Sequence, residues 1–474
     1  MVTQNKKSQT MKIKIFLSII FLVLQTQIKA VTESDSLKVP SFGKVYIFNR
    51  TKTPEVVIIM ISGESDWKSK SQNFSENSLV VGVDLKQYYK TLKERTDDCY
   101  NVAADFVELA TEVEKKYDFP DYKPPVLMGY SGGGMIVFGI LAQARPGTFI
   151  GGISIGFNPR FELPKMLCQN NGLSESVDIP GKRYLFQPGE KLGNPWVVIQ
   201  NQVDKANNYA VVSDFVSKTK NAELVTIPKE VKGSTKRNDL MTEWKDAYSR
   251  LLTKYEKDKP PIVNIDEVKN IPVVITNSKI EDQKAPIALV VSGDGGWYSF
   301  EQLISDNMAK QGIPTIGLDS KKYFWKRRTP EETASDMDKV LNFYGKLWGR
   351  DKFVLIGYSL GAEIVPFIVN RLPEKTKSRI ESVVLLSPAT TTDFEIHISN
   401  MLGMGNRQNV YHPIDEIIKM QAIQTLIIFG DGEKTQVPEL LNGTSVTIKK
   451  IPGDHHYKFN LQLIMQTMRE NKAF

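Results

Sequence analysis

The chain has 474 residues, of which 41% are hydrophobic and 24% are charged, and its formal net charge is +7. Its length fits two domains that are each large enough to bury a core. Residues 1–30 carry five lysines and no acidic residue, so the remaining chain has a net charge of only +2 and gives no indication of nucleic-acid binding through bulk charge. Metal-ligand spacings, a P-loop and a dinucleotide fingerprint are absent from the sequence, and we expect no metal and no cofactor.

Residues 1–30 have the pattern of a secretory signal peptide. Lysines at positions 6, 7, 12 and 14 precede an apolar run over residues 15–24, and Ala30 offers a small-residue cleavage site. An uncleaved membrane anchor is the alternative, but an apolar run of ten residues is short for crossing a bilayer. The pattern therefore predicts export with cleavage near Ala30.

A first domain is predicted over residues 31–256, with strands at residues 44–48 and 56–61. Further along, an apolar run leads into Gly-Tyr-Ser-Gly-Gly at residues 129–133. G-x-S-x-G between a strand and a helix is the pattern of a nucleophile elbow, here with Ser131 at its centre.

The partners of Ser131 are incomplete. Asp204 follows a strand signal at residues 196–199, where the acid of a catalytic triad belongs, but the chain has no histidine before His397. Because a serine needs a base to become a nucleophile at neutral pH, we expect this domain to be catalytically inactive. Lys232 or Lys236 acting as the base is the alternative.

The two cysteines of the chain, Cys99 and Cys168, both fall in the first domain. An even pair in an exported protein predicts one disulfide, whose loop would contain the Ser131 elbow. Two buried free thiols are the alternative.

A linker predicted over residues 257–270, charged and containing prolines, precedes a second domain over residues 271–474. Strand signals at residues 271–276 and 287–292 open this domain, and strand and helix signals then alternate to the C-terminus. The alternation predicts an α/β fold with a mostly parallel, doubly wound sheet. Residues 387–425 leave little room for a large lid, so we expect a shallow, open site.

A glycine-rich loop, Ser-Gly-Asp-Gly-Gly-Trp at residues 292–297, follows the second of these strands. The backbone N–H groups of Gly293, Asp294 and Gly295 can point at a developing oxyanion, together with the N–H of Leu360. A glycine-rich turn without a catalytic role is the alternative.

Residues 321–328 combine basic side chains with aromatic ones, including Tyr323 and Trp325. The pattern fits single-stranded nucleic acid, an anionic lipid surface, or a solvated loop with core-facing aromatic residues. In an exported protein the lipid surface is favoured over nucleic acid, and we expect this stretch to help hold the protein at an anionic membrane.

The most informative motif is a second G-x-S-x-G pattern at residues 357–361, with Ser359 at its centre. It lies between an apolar strand signal at residues 353–356 and a helical pattern over residues 362–370. The flanking glycines allow the sharp turn that lifts a serine hydroxyl above the sheet, which is the nucleophile elbow of α/β-hydrolases.

The residues that would activate Ser359 follow in the hydrolase order of serine, acid and histidine. Asp431 and Glu433 both follow one strand signal, and an offset of three residues from the strand-ending glycine favours Glu433. His455 and His456 follow the next strand signal, and the spacing to the aromatic residue after them favours His455 as the base. Asp431 stays the second candidate for the acid, and His456 stays the second candidate for the base.

The two elbows belong to a long repeat. Residues 61–67 correspond to the glycine-rich loop of the second domain with a shift of 230 residues. Ser131 corresponds to Ser359 with a shift of 228 residues, and Asp204 corresponds to Glu433 with a shift of 229 residues. Three motifs at nearly one shift predict two tandem α/β-hydrolase-like domains.

The second domain carries several linked motifs: the loop at residues 292–297, residues 319–325, residues 329–331, the Ser359 elbow continuing to Glu363, and residues 370–373. Together they resemble the bacterial AcvB/VirJ family over essentially the whole second domain. The first domain resembles the additional N-terminal half of the longer AcvB type. At the position of Glu433 the family tends to have an aspartate.

The resemblance implies a periplasmic serine hydrolase that removes the lysyl group from lysyl-phosphatidylglycerol, an anionic-lipid ester at the membrane surface. It also implies links to virulence and to type IV secretion, whose components are candidate partners, and no direct binding of nucleic acid. A lysyl substrate carries two ammonium groups, so nearby carboxylates are expected to recognise it. The candidate substrate-binding residues are Asp294, Asp319, Glu363, Trp297, Tyr323 and Trp325.

Two other functions fit the sequence. A non-catalytic periplasmic binding protein or secretion accessory, with both elbows kept for folding, fits the first domain better than the second. A generic carboxylesterase or peptidase would share the chemistry of the second domain and differ only in its pocket.

Overall fold

The computed structural model describes residues 34–49, 51, 53–62, 77–169, 173–190, 192–204, 207–228, 236–258, 268, 270–280, 284–297, 299–397, 410–457 and 460–474. The predicted signal peptide and Lys232 lie outside these residues, as does the side chain of Lys236. Within the described part of the chain, no helix has the length and apolar character needed to span a membrane.

The first domain contains strands and helices in alternation. Its strands are β1 (Ser34–Val39), β2 (Gly43–Asn49), β3 (Val56–Ser62), β4 (Ser78–Asp84), β5 (Val126–Tyr130), β6 (Gly151–Ile155), β7 (Arg160–Glu162), β8 (Glu175–Ile179), β9 (Arg183–Phe186), β10 (Trp196–Asn201) and β11 (Ala222–Ile227). Its helices are α1 (Leu85–Glu94), α2 (Val102–Lys116), α3 (Gly132–Gln143), α4 (Tyr209–Ser217) and α5 (Lys236–Asp258).

The main sheet of the first domain has the strand order β1-β2-β4-β3-β5-β6-β10-β11. Its neighbours from β4 to β11 pair in parallel, whereas β1 and β2 add an antiparallel extension at one edge. The remaining strands, β7, β9 and β8, form a small antiparallel sheet. Apolar clusters cover both faces of the main sheet, as a mostly parallel sheet requires.

The second domain repeats this plan. Its strands are β12 (Val273–Thr276), β13 (Ile287–Val291), β14 (Thr315–Leu318), β15 (Phe353–Tyr358), β16 (Ile380–Leu386), β17 (Gln424–Gly430) and β18 (Thr447–Ile451). Its helices are α6 (Ser299–Lys310), α7 (Ser320–Tyr323), α8 (Pro330–Trp348), α9 (Leu360–Arg371), α10 (Glu374–Lys377), α11 (Pro413–Lys419), α12 (Val437–Leu440) and α13 (Leu461–Glu470).

Its sheet has the strand order β12-β14-β13-β15-β16-β17-β18, with only the β12–β14 pair antiparallel. The strand β13 is completely buried because its five residues are all apolar and both sheet faces carry helices. The structure therefore confirms the predicted fold class, and parallel pairing brings the carboxyl ends of β13 to β18 to one edge.

Local sequence explains the boundaries of the longest helix of this domain. Thr329 and Glu332 form a reciprocal capping box at the start of α8, with Pro330 in the first turn. Gly349 ends the helix in the left-handed conformation, with φ of 63°.

The domains meet through loops at opposite ends of their sheets. Tyr122 and Arg145 lie in the loops that precede β5 and β6, at the amino-end edge of the first sheet. Tyr122 contacts Lys321, which follows β14, and Arg145 contacts His456, which follows β18. Both contacts lie at the carboxyl-end edge of the second sheet. The edge where a hydrolase site belongs thus faces the first domain.

This contact corrects the prediction for residues 321–328. Tyr323, Phe324 and Trp325 are at most 2% exposed, so they cannot insert at the level of lipid headgroups. Trp325 packs into the core of the first domain and donates its indole N–H to the carbonyl of Phe119, at 2.8 Å. The structure therefore agrees with the third interpretation of this stretch, a loop with core-facing aromatic residues. The core that Trp325 faces is that of the first domain.

Candidate active site

The second elbow forms between β15 and α9. Ser359 has φ of 52° and ψ of −118°, a strained conformation that projects its side chain from the sheet edge. A Cβ added at Gly357 would lie 2.4 Å from the carbonyl oxygen of Gly361, and one added at Gly361 would lie 2.1 Å from that of Val291. Both flanking positions therefore require glycine.

A hydrogen-bonded series of side chains begins at this serine. His455 Nε2 lies 3.1 Å from Ser359 Oγ, and His455 Nδ1 lies 2.9 Å from Glu433 Oε2. The other carboxylate oxygen, Glu433 Oε1, accepts hydrogen bonds from the Ser387 hydroxyl and the Gly430 amide, both at 2.7 Å. The arrangement has the geometry of a Ser–His–acid triad.

The surroundings of Glu433 keep its carboxylate ionised. Burial alone would raise the pKa of Glu433, but the hydrogen bonds from His455, Ser387 and Gly430 outweigh burial and lower this pKa. An ionised acid accepts the Nδ1 proton of His455 and leaves Nε2 free to accept the proton of Ser359.

The second candidates for acid and base lie elsewhere. Asp431 Oδ1 accepts a hydrogen bond from the backbone N–H of Gly453 at 3.0 Å, and so fixes the loop that carries the histidines. His456 directs Nδ1 to the hydroxyl of Tyr358 and to the guanidinium of Arg145. Neither side chain takes part in the series that ends at Ser359.

The glycine-rich loop lies beside the nucleophile. The backbone N–H of Gly296 donates to the carbonyl of Gly293 at 3.0 Å, which closes a tight turn, and a Cβ added at Gly293 would lie 3.4 Å from Ser359 Cβ. Leu360 begins α9, where the first N–H groups of a helix have no intrahelical acceptor. The loop and the start of α9 thus lie next to Ser359, and the role of their N–H groups as oxyanion donors stays a prediction.

The site is open to solvent but bordered by the first domain. Ser359 is half-buried, and the His455 side chain is 43% exposed. Trp297 donates its indole N–H to Gln302 and lines the cleft between the domains. No group of three or more His, Cys, Asp or Glu side chains within the described ranges is arranged to hold a metal ion.

The carboxylates considered for lysyl recognition have different environments. Asp319 is 5% exposed, caps α7 and pairs with Lys322 at 2.8 Å, and Glu363 is 7% exposed. Asp294, within the glycine-rich loop, is exposed. Of the aromatic candidates, Trp325 is enclosed by the first domain, which corrects its assignment as a substrate-binding residue. Tyr323 is buried and donates its hydroxyl to Asp336, but it also lines the cleft between the domains, and its assignment stays a prediction.

The first elbow has the same backbone without the same partners. Ser131 has φ of 53° and ψ of −118°. Asp204 accepts hydrogen bonds from Asn207 and Gln200 instead of an imidazole. Residues 229–235, which would correspond to the histidine loop, lie outside the described residues and contain no histidine.

The cysteine pair of the first domain is joined. Cys99 and Cys168 form a disulfide with a Cα–Cα distance of 4.9 Å, and the Ser131 elbow lies within the loop of 69 residues that it closes. The structure therefore has the predicted disulfide and not two free thiols.

Arg145 was not found by sequence reasoning. Its guanidinium lies 3.0 Å from His456 Nδ1 and also hydrogen-bonds the Tyr358 hydroxyl, so a first-domain residue contacts both neighbours of the candidate triad. Arg145 follows α3 in the domain that lacks a base, and the residues it contacts are more than 200 positions away. Ser387, which donates its hydroxyl to Glu433, was missed because it follows β16, a strand that carries no motif.

The contact between Arg145 and His456 predicts a pH dependence of stability. Burial, Arg145 and His455 lower the pKa of His456 from 6.5 to about 4. Between these values the unfolded chain binds a proton that the folded chain does not, so folding stability falls as the pH falls through this window. We expect His456→Gln to reduce the decrease in melting temperature between pH 6.5 and pH 4, whereas the same change at exposed His412 leaves it unaltered. Equal decreases in wild type and His456→Gln would contradict this linkage.

Known proteins similar to this chain fall into two groups. Residues 285–472 match the sequence profile of the family described as bacterial virulence protein VirJ. No curated protein sequence matches the chain significantly. Solved structures similar to part of it include Est1E from Butyrivibrio proteoclasticus (15% identity, 43% of this chain and 94% of that chain, TM-score 0.32). A thermophilic esterase from Thermogutta terrifontis (13%, 42% and 93%, TM-score 0.33) and MenH from S. aureus (8%, 42% and 98%, TM-score 0.33) are also similar to it.

The profile spans almost the whole second domain, from the start of β13 to the end of α13, and so includes the elbow, the acid and the histidine. The geometry of these residues is that of a serine hydrolase. Over residues 285–472, this chain is thus similar to the VirJ family of bacterial virulence proteins.

Proposed function

We propose that the second domain hydrolyses the aminoacyl ester of an anionic phospholipid, lysyl-phosphatidylglycerol, to lysine and phosphatidylglycerol. The observation that carries hydrolysis is the hydrogen-bonded series Ser359–His455–Glu433. The choice of substrate is supported by the motifs shared with the AcvB/VirJ family.

The first half of the reaction transfers the lysyl group to the enzyme. Ser359 Oγ attacks the ester carbonyl carbon while His455 Nε2 takes the hydroxyl proton, and Glu433 stabilises the imidazolium. The N–H groups of Leu360 and of the glycine-rich loop stabilise the oxyanion of the tetrahedral intermediate. When the intermediate collapses, His455 donates the proton to the departing glycerol oxygen, and phosphatidylglycerol leaves.

The second half releases lysine. Water attacks the lysyl-enzyme ester, with His455 again taking the proton, and the collapse of the second tetrahedral intermediate returns the proton to Ser359 Oγ. The partial exposure of Ser359 and His455 admits both the lipid ester and the water.

Asp294 is the carboxylate that we assign to the lysyl ammonium. It is exposed and follows Gly293, which lies against Ser359. Asp319 is already paired with Lys322, and Glu363 is buried in the first turn of α9. An exposed carboxylate beside the nucleophile can accept hydrogen bonds from an ammonium without the cost of burying its own charge.

The compartment that we propose is the periplasm. The signal-peptide pattern of residues 1–30 supports export, and the disulfide between Cys99 and Cys168 supports an oxidising compartment. Type IV secretion components stay candidate partners on the basis of the family resemblance.

The test is the release of products by the purified protein. Incubated with vesicles that contain lysyl-phosphatidylglycerol, the wild type should yield equal amounts of free lysine and phosphatidylglycerol and no free fatty acid, with Ser359→Ala as the background control. Fatty-acid release would indicate an acyl-chain esterase. Turnover of small esters without lysine release would indicate a generic carboxylesterase, and either outcome would reject the proposed substrate.

A further inference from the structure

A cleft of about 1240 Å³ separates the two domains beside the candidate active site. Tyr122 and Phe149 are among its first-domain walls, and Trp297 and Lys321 are among its second-domain walls. Gly296 of the glycine-rich loop also lines the cleft, so the cleft begins at the loop that we assign to the oxyanion.

Lys321 lines this cleft, and its ammonium group is buried without a hydrogen-bonding partner in the part of the chain that the structure describes. The Lys321 side chain is 1% exposed, and Nζ meets no hydrogen-bond acceptor among the described residues. A primary ammonium has three N–H donors, and Nζ lies over the ring of Tyr122, 3.5 Å from the ring centroid. Burial lowers the pKa of Lys321 to about 8, which leaves most of the amine charged at neutral pH.

Three carboxylates, Glu114, Asp294 and Asp319, favour the charged form of Lys321, but none among the described residues is a hydrogen-bond partner of its ammonium group. Asp319 forms its ion pair with Lys322 at 2.8 Å. Glu114 is completely buried and accepts a hydrogen bond from the Lys123 backbone N–H, and burial raises its pKa to about 8. A buried charge without an ion pair is costly, and an anionic ligand would relieve that cost.

Lys321 lies one tight turn from the nucleophile. A Cβ added at Gly296 would lie 3.0 Å from Lys321 Cβ, and the Gly296 N–H donates to Gly293, which lies against Ser359. In an aminoacyl phosphatidylglycerol, the three carbons of one glycerol separate the ester from the phosphodiester. The phosphate of an ester bound at Ser359 therefore lies within one glycerol of the ester, and Gly296 and Lys321 are on the side of the nucleophile where the cleft begins.

We propose that the cleft between the domains is a phosphate subsite in which Lys321 binds the phosphodiester of the lipid substrate, while Tyr122 brings the first domain into substrate recognition. The inference rests on the proposed function for the identity of the lipid. It gives the first domain a role in binding that does not need a catalytic serine.

The experiment measures inhibition of a small neutral ester, p-nitrophenyl acetate, by soluble dihexanoyl-phosphatidylglycerol. Lys321→Met removes the charge with little change in length, and Lys326→Met removes an exposed charge from the same stretch as a matched control. We expect competitive inhibition of the wild type, an inhibition constant that is about ten- to a hundredfold higher in Lys321→Met, and no change in Lys326→Met. Lys321→Gln replaces the methionine variant if that variant does not fold.

Two comparisons separate the phosphate subsite from a structural role. The kcat/KM for the neutral ester should stay within about twofold of the wild type in Lys321→Met, and Lys321→Arg should recover at least part of the inhibition. Equal inhibition of wild type and Lys321→Met, no inhibition of the wild type, or a parallel loss of neutral-ester turnover would each overturn the proposal.

A further arm distinguishes the source of the phosphate. Inorganic phosphate should inhibit at least about tenfold more weakly than the lipid. Inhibition by inorganic phosphate that is equally strong and depends on Lys321 would assign the site to free phosphate and overturn the lipid subsite. Because no arm uses an aminoacyl substrate, the phosphate subsite can stand even where lysine release from lysyl-phosphatidylglycerol fails.

Discussion

Ser359→Ala is expected to lower the turnover of an aminoacyl ester by about 10⁴-fold or more, whereas Ser131→Ala leaves it within about twofold of the wild type. Both serines have the elbow backbone, but only Ser359 has an imidazole within hydrogen-bonding distance, at 3.1 Å. The measurement is kcat for a soluble aminoacyl ester under single-turnover and steady-state conditions.

The Ser131 variant is the matched control for this experiment. It removes the same hydroxyl from the same local backbone, so a general effect of altering an elbow would appear in both variants. Similar losses from the two substitutions would show that the first domain contributes to the chemistry and that the assignment of one catalytic domain is wrong.

His455→Ala is expected to cost about as much turnover as loss of the serine, and Glu433→Gln should cost about 10⁴-fold because an amide stabilises the wrong imidazole tautomer. Asp431→Asn should retain most of the activity, since its side chain accepts a backbone hydrogen bond from Gly453 and does not reach His455. Steady-state kcat and KM for each variant check these expectations.

The same series includes His456→Ala, which should lower turnover far less than His455→Ala. His456 directs Nδ1 towards Tyr358 and Arg145, so its loss changes the domain contact before it changes the chemistry. If His456→Ala or Asp431→Asn proves the most damaging substitution, the motif is right and the choice of residue within it is wrong.

The sequence predicted the elbow and the order of the site residues because both depend on local features. Glycine at positions 357 and 361 is required by backbone approach within one turn, and the acid and the histidine each follow an apolar strand. The choice between Asp431 and Glu433, or between His455 and His456, depends on the path of a short loop, so spacing could favour one residue but could not exclude its neighbour.

The contact between the domains could not be predicted in the same way. Trp325 packs against a first-domain loop more than 200 residues away in sequence, and the hydropathy of its surroundings fits a membrane surface as well as a protein core. Arg145 belongs to no motif, and its contact with His456 depends on how the two sheets are placed relative to each other. Such contacts arise only when the two domains pack together, whereas sequence periodicity and turn residues predict individual helices, strands and turns.

The central claim is that one activated serine, Ser359, serves the whole chain. A fluorophosphonate forms a stable adduct only with a serine whose hydroxyl is activated by a base, so labelling followed by peptide mass spectrometry locates that serine directly. The account predicts an adduct on the peptide that contains Ser359, none on the peptide that contains Ser131, and no labelling in the His455→Ala variant. An adduct on Ser131, or undiminished labelling of Ser359 without His455, would contradict it.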